Sequence, residues 1–125
     1  MTGDEMPDTE QAAQPGQLSI EATTTDGIRL LTLAGEIDND TGGTLRQALD
    51  VSTTQQPRLV VDLGQVTFMD STGINILIAA HRSVTGADGW LRLAAPTDSV
   101  MRTLQIVGVD TLIDCYPTVR HALSH

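Results

Sequence analysis

Hydrophobic and polar residues alternate along the first part of the chain, which is the pattern of β-strands with one buried face. In the stretch LSIEATT, Leu18, Ile20 and Ala22 alternate with polar neighbours. A second apolar stretch, IRLLTLAG, begins directly after the dipeptide Asp26-Gly27. Asp-Gly is a strong signal for a tight turn between two strands. The sequence therefore predicts that the folded domain begins near Leu18 with a β-hairpin.

The spacing of apolar residues becomes helical after the hairpin. Thr41 is a predicted N-cap, and the positions behind it recur at intervals of three and four. This first helical stripe consists of Leu45, Ala48, Leu49 and Ser52. The stretch RLVVDL, residues 58–63, is instead a short, continuous apolar run. Such a run is typical of a central strand that is covered on both faces.

A second, more apolar helix follows the turn in TFMDSTGINIL, residues 67–77. One side of this helix carries Ile74, Leu77, Ile78 and His81, and the apolar stripe is broadened by Ile76, Ala79 and Ala80. Asn75, Arg82 and Ser83 form its polar side. Gly86 and Gly89 are expected to end the helix.

The last third of the chain predicts two more strands and two more helices. WLRLAA is a strand that stops at Pro96, and Asp98 is the expected N-cap of the next helix. That helix has the stripe Val100, Leu104 and Val107, with Gly108 as its C-terminal cap. TLIDCY reads as a last strand and TVRHALSH as a short terminal helix. The predicted fold is α/β: a mixed sheet of about five strands, with an initial hairpin and later parallel strands, and about four helices.

Composition divides the chain into two parts. Residues 1–17 are polar and acidic and contain Pro7, Pro15 and Gly16, which predicts a disordered acidic tail. Residues 18–125 form one predicted domain, because 125 residues with 40% hydrophobic content suit a single core. Cys115, the only cysteine, is expected to be a packed thiol.

The charge balance limits the classes of partner. Sixteen acidic and seven basic residues give a formal net charge of -9, which repels nucleic-acid backbones and anionic lipid. We therefore expect no direct nucleic-acid partner. The amino-terminal segment has no apolar run, and no stretch approaches the roughly 18 apolar residues of a membrane span. The expected protein is soluble and cytoplasmic, with no contact to a membrane.

Ser71 lies beside Asp70 where a buried strand gives way to a buried helix, and its hydroxyl has several interpretations. The simplest is a helix N-cap, because serine is a preferred capping residue and Asp complements the helix dipole. A nucleophilic serine is disfavoured, because Met69 replaces the first glycine of the G-x-S-x-G elbow. A base is also missing: His81 is ten residues along the same helix, about 15 Å away, and His121 and His125 are at the carboxyl end.

Two further chemistries are excluded by residue types. Phosphorylation of Asp70, as in a receiver domain, would need a lysine on the last strand, and the chain has no lysine. Phosphate-binding glycine loops and Cys/His clusters with metal spacing are also missing, so we expect no catalytic residues, no metal and no cofactor. Scattered acids such as Asp38, Asp40 and Asp62 are more typical of solvated or capping positions.

The remaining interpretation makes Ser71 a phosphoacceptor for a separate kinase. A phosphoserine adds about -1.5 to -2 charges, and backbone N–H groups at a helix N-terminus can receive its oxygens. A partner that docks on the bare turn would then be repelled. At an effective dielectric of 20 and about 5 Å, each new like-charge pair costs roughly 3 kcal/mol, or about a hundredfold in affinity.

Three segments of the chain resemble the bacterial anti-sigma factor antagonists, which are single STAS-domain proteins. They are GEIDNDT at 35–41, LVVDLGQVTFMDSTG at 59–73 and LQIVGVDTLI at 104–113. The D-S-T-G segment is the most specific of them. The likeness covers roughly Leu18 to Leu123, so it implies that residues 18–125 adopt the STAS fold.

The resemblance implies a partner-switching regulator and not an enzyme. In this family the unphosphorylated antagonist binds an anti-sigma factor that is also a serine kinase of the GHKL type, and a sigma factor is released. Phosphorylation of the D-S-T-G serine, here Ser71, abolishes binding, and a phosphatase reverses it. Asp38, Asp70, Thr72 and Gly73 would complete the partner-binding surface.

Two departures from the family pattern bear on which kinase fits, and neither removes the acceptor serine. Asn75 stands where many relatives have a small residue, and Gly42 and Gly43 are expected to loosen the start of the first helix. The alternative is a STAS adaptor subunit of a larger complex, such as a stressosome or a lipid-transport ATPase. The intact D-S-T-G segment argues against this alternative.

Overall fold

A computed structural model describes residues 17–51 and 54–124 of the chain. Apart from Gln17, the predicted acidic tail lies outside the described residues, as do Ser52 and His125. The strands are β1 (Leu18–Thr25), β2 (Ile28–Ile37), β3 (Arg58–Met69), β4 (Trp90–Ala94) and β5 (Cys115–Tyr116). The α-helices are α1 (Gly42–Ala48), α2 (Ser71–Gly86), α3 (Asp98–Ile106) and α4 (Val119–Ser124), with a 3-10 turn at Val109–Thr111.

The predicted hairpin is confirmed. Strands β1 and β2 pair antiparallel, from Leu18 opposite Gly35 to Thr25 opposite Ile28. The turn residues Asp26 and Gly27 have φ angles of 52° and 79°. A two-residue hairpin turn of type I′ requires positive φ at both central residues. Asp and Gly adopt positive φ at little steric cost.

The strands form one sheet in the order β1-β2-β3-β4-β5. Strand β2 pairs parallel with β3, β3 with β4, and β4 with β5. Each parallel pair is joined by a connection that contains a helix, because parallel strands cannot be linked by a tight turn. Within residues 17–51 and 54–124, the mixed five-stranded sheet with four helices confirms the predicted α/β fold.

Helices cover both faces of the sheet, as the continuous apolar run in β3 predicts. Leu59, Val60 and Val61 are each at most 1% exposed. Leu59 and Val61 belong to the main core with α1, α2 and α3, whereas Val60 packs with Ala122 of α4 in a smaller core. Successive strand residues point to opposite faces, so the two cores lie on opposite sides of the sheet.

Two predicted strand boundaries differ from the structure. Strand β3 continues beyond residue 63 to Met69, because its pairing with β2 extends to Ile37 through two register shifts. The predicted strand TLIDCY is reduced to Cys115–Tyr116. The backbone N–H groups of Leu112 and Ile113 donate instead to the carbonyl of Val109, at 2.9 and 2.8 Å, so local turns replace strand pairing there.

Details of the helices also differ from the sequence expectations. Thr97 caps α3, its hydroxyl accepting from the Val100 N–H at 3.3 Å, whereas Asp98 is the first helical residue. Val107 is 54% exposed and lies outside the buried stripe, because α3 has already ended at Ile106. Gly108, with φ at 79°, follows the end of the helix as predicted.

Candidate functional site

The ends of β2 and β3 place Asp38 and Asp70 at the same end of the sheet. Ile37 pairs with Met69 in the parallel register. Beyond this pair, the N–H of Asp70 donates to the carbonyl of Ile37 at 3.2 Å. Asp38 and Asp70 are the next residues of the two strands, so they emerge at the same edge of the sheet. The structure thus brings together two segments that are about 30 residues apart in sequence.

Asp70, and not Ser71, caps helix α2. Its carboxylate Oδ1 accepts from the N–H of Thr72 at 2.8 Å, and its carbonyl accepts from the N–H of Ile74 at 3.2 Å. Asp70 has extended backbone angles, whereas Ser71 is already the first residue of the helix. The interpretation of Ser71 as the N-cap is therefore wrong, because a cap residue must lie outside the helical conformation for its side chain to reach back to the first turn.

Ser71 is left with an exposed side chain at the helix N-terminus. Its hydroxyl makes no hydrogen bond to any residue in the described ranges. Because Asp70 supplies the cap, modification of the Ser71 hydroxyl would remove no hydrogen bond that holds the helix. The first-turn N–H groups and the positive end of the helix dipole lie beside it, which favours a negative charge at this position.

Gly73 allows α2 to lie close against the two strand ends. A Cβ at Gly73 would be 2.6 Å from Cγ2 of Ile37 and 2.8 Å from Cγ of Met69. Both distances are shorter than any ordinary carbon contact. Gly73 therefore fixes the position of the Ser71 turn through packing, and any larger residue would push the turn away from the sheet.

Gly42 brings α1 against the same turn. A Cβ at Gly42 would be 2.9 Å from the Thr72 methyl carbon and 3.1 Å from Cδ1 of Ile76, and Gly42 is buried. The expectation that Gly42 loosens the start of α1 is therefore wrong, because its lack of a side chain permits this contact. The sequence carried no signal for it, since the partner atoms belong to another helix. Gly43 has no atom within 4 Å of its Cβ position.

The loop that carries Asp38 is held by Thr41. The Thr41 hydroxyl accepts from the N–H of Asp38 and donates to the carbonyl of Glu36, both at 2.9 Å. The Asp38 carboxylate accepts from the N–H groups of Asp40 and Thr41, at 3.0 and 3.1 Å. Thr41 is in the N-cap position of α1, but its side chain makes no capping bond. Thr41 is 6% exposed, and its hydroxyl stabilises the Asp38 loop instead of capping the helix.

Ser71 makes no hydrogen bond to His81 or His121, the two histidines that the structure describes. His81, farther along α2, has a buried Nδ1 with no hydrogen-bond partner in the described part of the chain. The His121 ring instead lies edge-on to Tyr116, with centroids 5.4 Å apart. No group of three or more His, Cys, Asp or Glu side chains that could hold a metal ion occurs among residues 17–51 and 54–124. A hydrolytic Ser–His pair is therefore not formed with either described histidine.

Cys115 does not add reactive chemistry. The side chain is partly buried against the main core, close to the predicted packed position. Burial, together with the nearby Asp110 and Asp114 carboxylates, raises the pKa of the thiol to about 11. A thiol with such a pKa remains protonated near neutral pH and is a poor nucleophile.

One side chain near the site was missed at the sequence level. Phe68, the only phenylalanine of the chain, is 46% exposed on β3, two residues before Asp70. The predicted strand ended at residue 63, so the sequence carried no signal for Phe68, which lies on the extension of β3 beyond the part that pairs with β4. Across the described ranges, no helix has the length and hydrophobicity needed to cross a membrane.

Comparison with known proteins agrees with this arrangement. A family model described as the STAS domain matches residues 19–122. The chain is 31% identical over 98 residues to an anti-sigma-B factor antagonist of Listeria monocytogenes, covering 78% of this chain and 85% of that protein. It is 27% identical over 111 residues to the anti-sigma-F factor antagonist RsfB of Mycobacterium tuberculosis, covering 88% and 90% of the two chains.

A solved structure shows the same architecture. The crystal structure of an anti-sigma factor antagonist from Mycobacterium paratuberculosis superimposes with a TM-score of 0.80 and 29% identity, covering 89% of this chain and 95% of that chain. The sheet order, the position of the D-S-T-G turn and these similarities lead to one assignment. The chain belongs to the STAS domain family and, within it, to the anti-sigma factor antagonists.

Proposed function

We propose that the unphosphorylated protein binds an anti-sigma factor of the GHKL serine-kinase type and thereby releases a sigma factor. Phosphorylation of Ser71 by the same kinase then abolishes binding, and a phosphatase restores the binding form. The protein acts as a regulatory binding partner and not as an enzyme. The observation that carries this proposal is the exposed Ser71 hydroxyl on a turn whose backbone is fixed by other residues.

The geometry supports phosphoryl transfer from a separate protein. The Ser71 oxygen would bond to the γ-phosphorus of ATP held by the kinase, the bond from that phosphorus to the bridging oxygen would break, and ADP would leave. The hydroxyl proton passes to a base of the kinase or to solvent. The described histidines do not lie beside Ser71, so the antagonist supplies the acceptor and its position and the kinase supplies the nucleotide.

The charge around the turn supports release after phosphorylation. Asp38 and Asp70 lie at the same sheet edge, and Asp40 belongs to the loop that Asp38 holds. A partner that binds this acidic turn needs complementary basic or polar groups placed for a neutral serine. A phosphate changes both the charge and the volume at the centre of that contact, so the contact is lost.

A phosphorylation assay tests the proposal. The purified protein is mixed with each GHKL-type anti-sigma factor encoded in the same genome, with Mg-ATP, and intact mass is measured. We expect one kinase to add one phosphate, which Ser71→Ala prevents. No phosphate with any of these kinases, or the same phosphate on Ser71→Ala, would show the mechanism to be wrong.

The adaptor alternative predicts a different outcome in a binding assay. An adaptor packs permanently into a complex, so Ser71→Asp would leave its binding unchanged. Stable co-purification with a transporter ATPase or a stressosome-type assembly, unaffected by Ser71→Asp, would favour that alternative over partner switching.

A further inference from the structure

A groove of about 700 Å³ lies between the last turn of α1 and the outer face of α2. Its floor is apolar: Leu49 and Ile76 are each 4% exposed, and Ala80 is 7% exposed. The side chains along its α2 wall are Asn75, Ala79 and Ser83, with Ala87 just beyond the end of the helix. The exposed side chains of this wall are short, so the groove is concave, although its deepest residues are themselves almost fully covered.

The groove begins where the contact between α1 and α2 ends. Gly42 and Thr72 bring the first turns of the two helices into van der Waals contact. The α1 side of the groove starts one turn later, at Arg46. The same packing that fixes the Ser71 turn therefore defines the upper end of the groove.

Ser71 lies beside the groove, at the start of a row of exposed α2 residues that winds around the helix by about 40° with every fourth residue. Residues four apart in a helix lie one above the other, and Ser71 is four residues before Asn75, the first α2 residue of the groove. Ser71, Asn75, Ala79 and Ser83 are all exposed. From Ser71 to Ser83 the helix rises about 18 Å, at 1.5 Å per residue. The candidate phosphoacceptor thus stands at one end of a continuous surface that ends in the groove.

The size of protein interfaces implies that a partner covers more than the turn. A stable, specific interface buries about 800 Å² on each side, from about 20–30 residues. Asp38 and the D-S-T-G turn provide five residues, which is too few. The groove is the apolar concave surface that continues from them, and buried apolar pockets supply most of the binding energy in interfaces.

We propose that the anti-sigma factor kinase that acts on Ser71 inserts an apolar segment into this groove, so that α2 is a docking helix along its length. This inference rests on the proposed function. The acidic end of the surface, with Asp38, Asp40 and Asp70, fits a segment with basic side chains at the end that reaches the turn. The groove thereby gives the kinase affinity that is independent of the atoms that it modifies.

Filling the groove tests the inference. Ser83→Trp places a large neutral ring in it, about 18 Å from Ser71 along the helix and far beyond the roughly 8 Å over which charges act at physiological salt. Ser99→Trp is the matched control, because Ser99 is also an exposed helical serine but belongs to α3. By calorimetric titration with the kinase identified in the phosphorylation assay, we expect at least tenfold weaker binding for Ser83→Trp and a change within twofold for Ser99→Trp.

Further variants separate this inference from the proposed function. Should Ser83→Trp lower the melting temperature, Ala79→Gln is used instead, with binding again expected to weaken. Wild-type affinity of a folded groove variant, together with weak binding of Ser71→Asp, would overturn the groove inference alone. Loss of binding in Ile106→Ser but not in the groove variants would overturn it too, because Ile106 is 77% exposed at the end of α3. If no kinase binds or modifies the wild-type chain, both proposals fail.

Discussion

The N–H of Asp70 donates to the carbonyl of Ile37 at 3.2 Å, which continues the pairing of β2 with β3 one residue past the end of β3. This bond fixes the backbone that precedes the helix, and the Asp70 carboxylate fixes the backbone that follows through Thr72. Asp70 therefore joins sheet and helix, and Ser71 is presented between these two fixed points.

Asp70→Ala should lower the free energy of unfolding by about 1 kcal/mol, because the capping bond to Thr72 is lost. Asp70→Asn should be close to wild type, since asparagine is an equally good cap. Urea unfolding monitored by circular dichroism measures both. An equal loss in the two variants would show that the carboxylate charge, and not capping, is what stabilises the turn.

Gly73→Ala should destabilise the protein by about 1–3 kcal/mol, since its methyl group would overpack against Ile37 and Met69. Gly43→Ala is the matched control: its Cβ position is open, and alanine should stabilise α1 by about 0.5–1 kcal/mol. Thermal unfolding of both variants should give shifts of opposite sign. A stabilising Gly73→Ala would contradict the close packing of the turn.

Thr41→Val should lower the free energy of unfolding by about 1 kcal/mol, because the part-buried Asp38 N–H and Glu36 carbonyl lose their partner. Thr41→Ser keeps the hydroxyl and should recover most of this loss. Chemical denaturation compares the variants, and binding to the kinase tests whether the Asp38 loop must be held in this form. Identical stability of Thr41→Val and Thr41→Ser would contradict the role of the hydroxyl.

Ser71→Asp should weaken binding to the kinase by up to about a hundredfold, because a larger, charged side chain replaces a neutral serine at the centre of the contact, and a loss of roughly 3 kcal/mol corresponds to that factor. Ser71→Ala should bind like wild type, because the hydroxyl makes no bond to the described residues. Neither variant should unfold below the wild-type temperature, since Asp70 provides the cap, and the helix dipole should raise that of Ser71→Asp slightly. Titration calorimetry measures the affinities, and equally weak binding of the two variants would mean that the hydroxyl itself is required.

Cys115 should react with a disulfide reagent about a hundredfold more slowly near pH 8 in the folded protein than after unfolding. Its pKa of about 11, against 9.0 for the free thiol, reduces the thiolate fraction by that factor. Because the folded pKa is raised, the stability that this group contributes is present below about pH 9 and is lost as the pH rises towards 11. Equal rates in native buffer and in urea would contradict the effect of burial.

Local signals in the sequence were sufficient for most of the fold. The hairpin follows from Asp26-Gly27, whose positive φ angles the dipeptide tolerates. Helix α2 follows from the spacing of its apolar residues, among which Ile74 and Leu77 are buried. The length of β3 was missed, because Gly64 and Gln65 interrupt the apolar run while the pairing with β2 continues.

The candidate site was only partly accessible from the sequence. The turn at residues 70–73 could be located, but Asp and Ser are both good caps, and only the extended backbone of Asp70 decides between them. The contact between Gly42 and Thr72 depends on how two helices meet, which residue types alone do not specify. Asp38 is close to Asp70 because of strand register, which requires the sheet order.

Asp70 caps helix α2 and the Ser71 hydroxyl does not, which affects the lifetime of the protein in the cell. Proteases act on the small unfolded fraction of a protein, so a modification that lowers folding stability also shortens lifetime. Here the cap belongs to Asp70, and the Ser71 hydroxyl holds none of the described structure. If Ser71 is phosphorylated as proposed, binding would be lost without a loss of folding stability, so the amount of the protein would stay constant and each molecule could be used again.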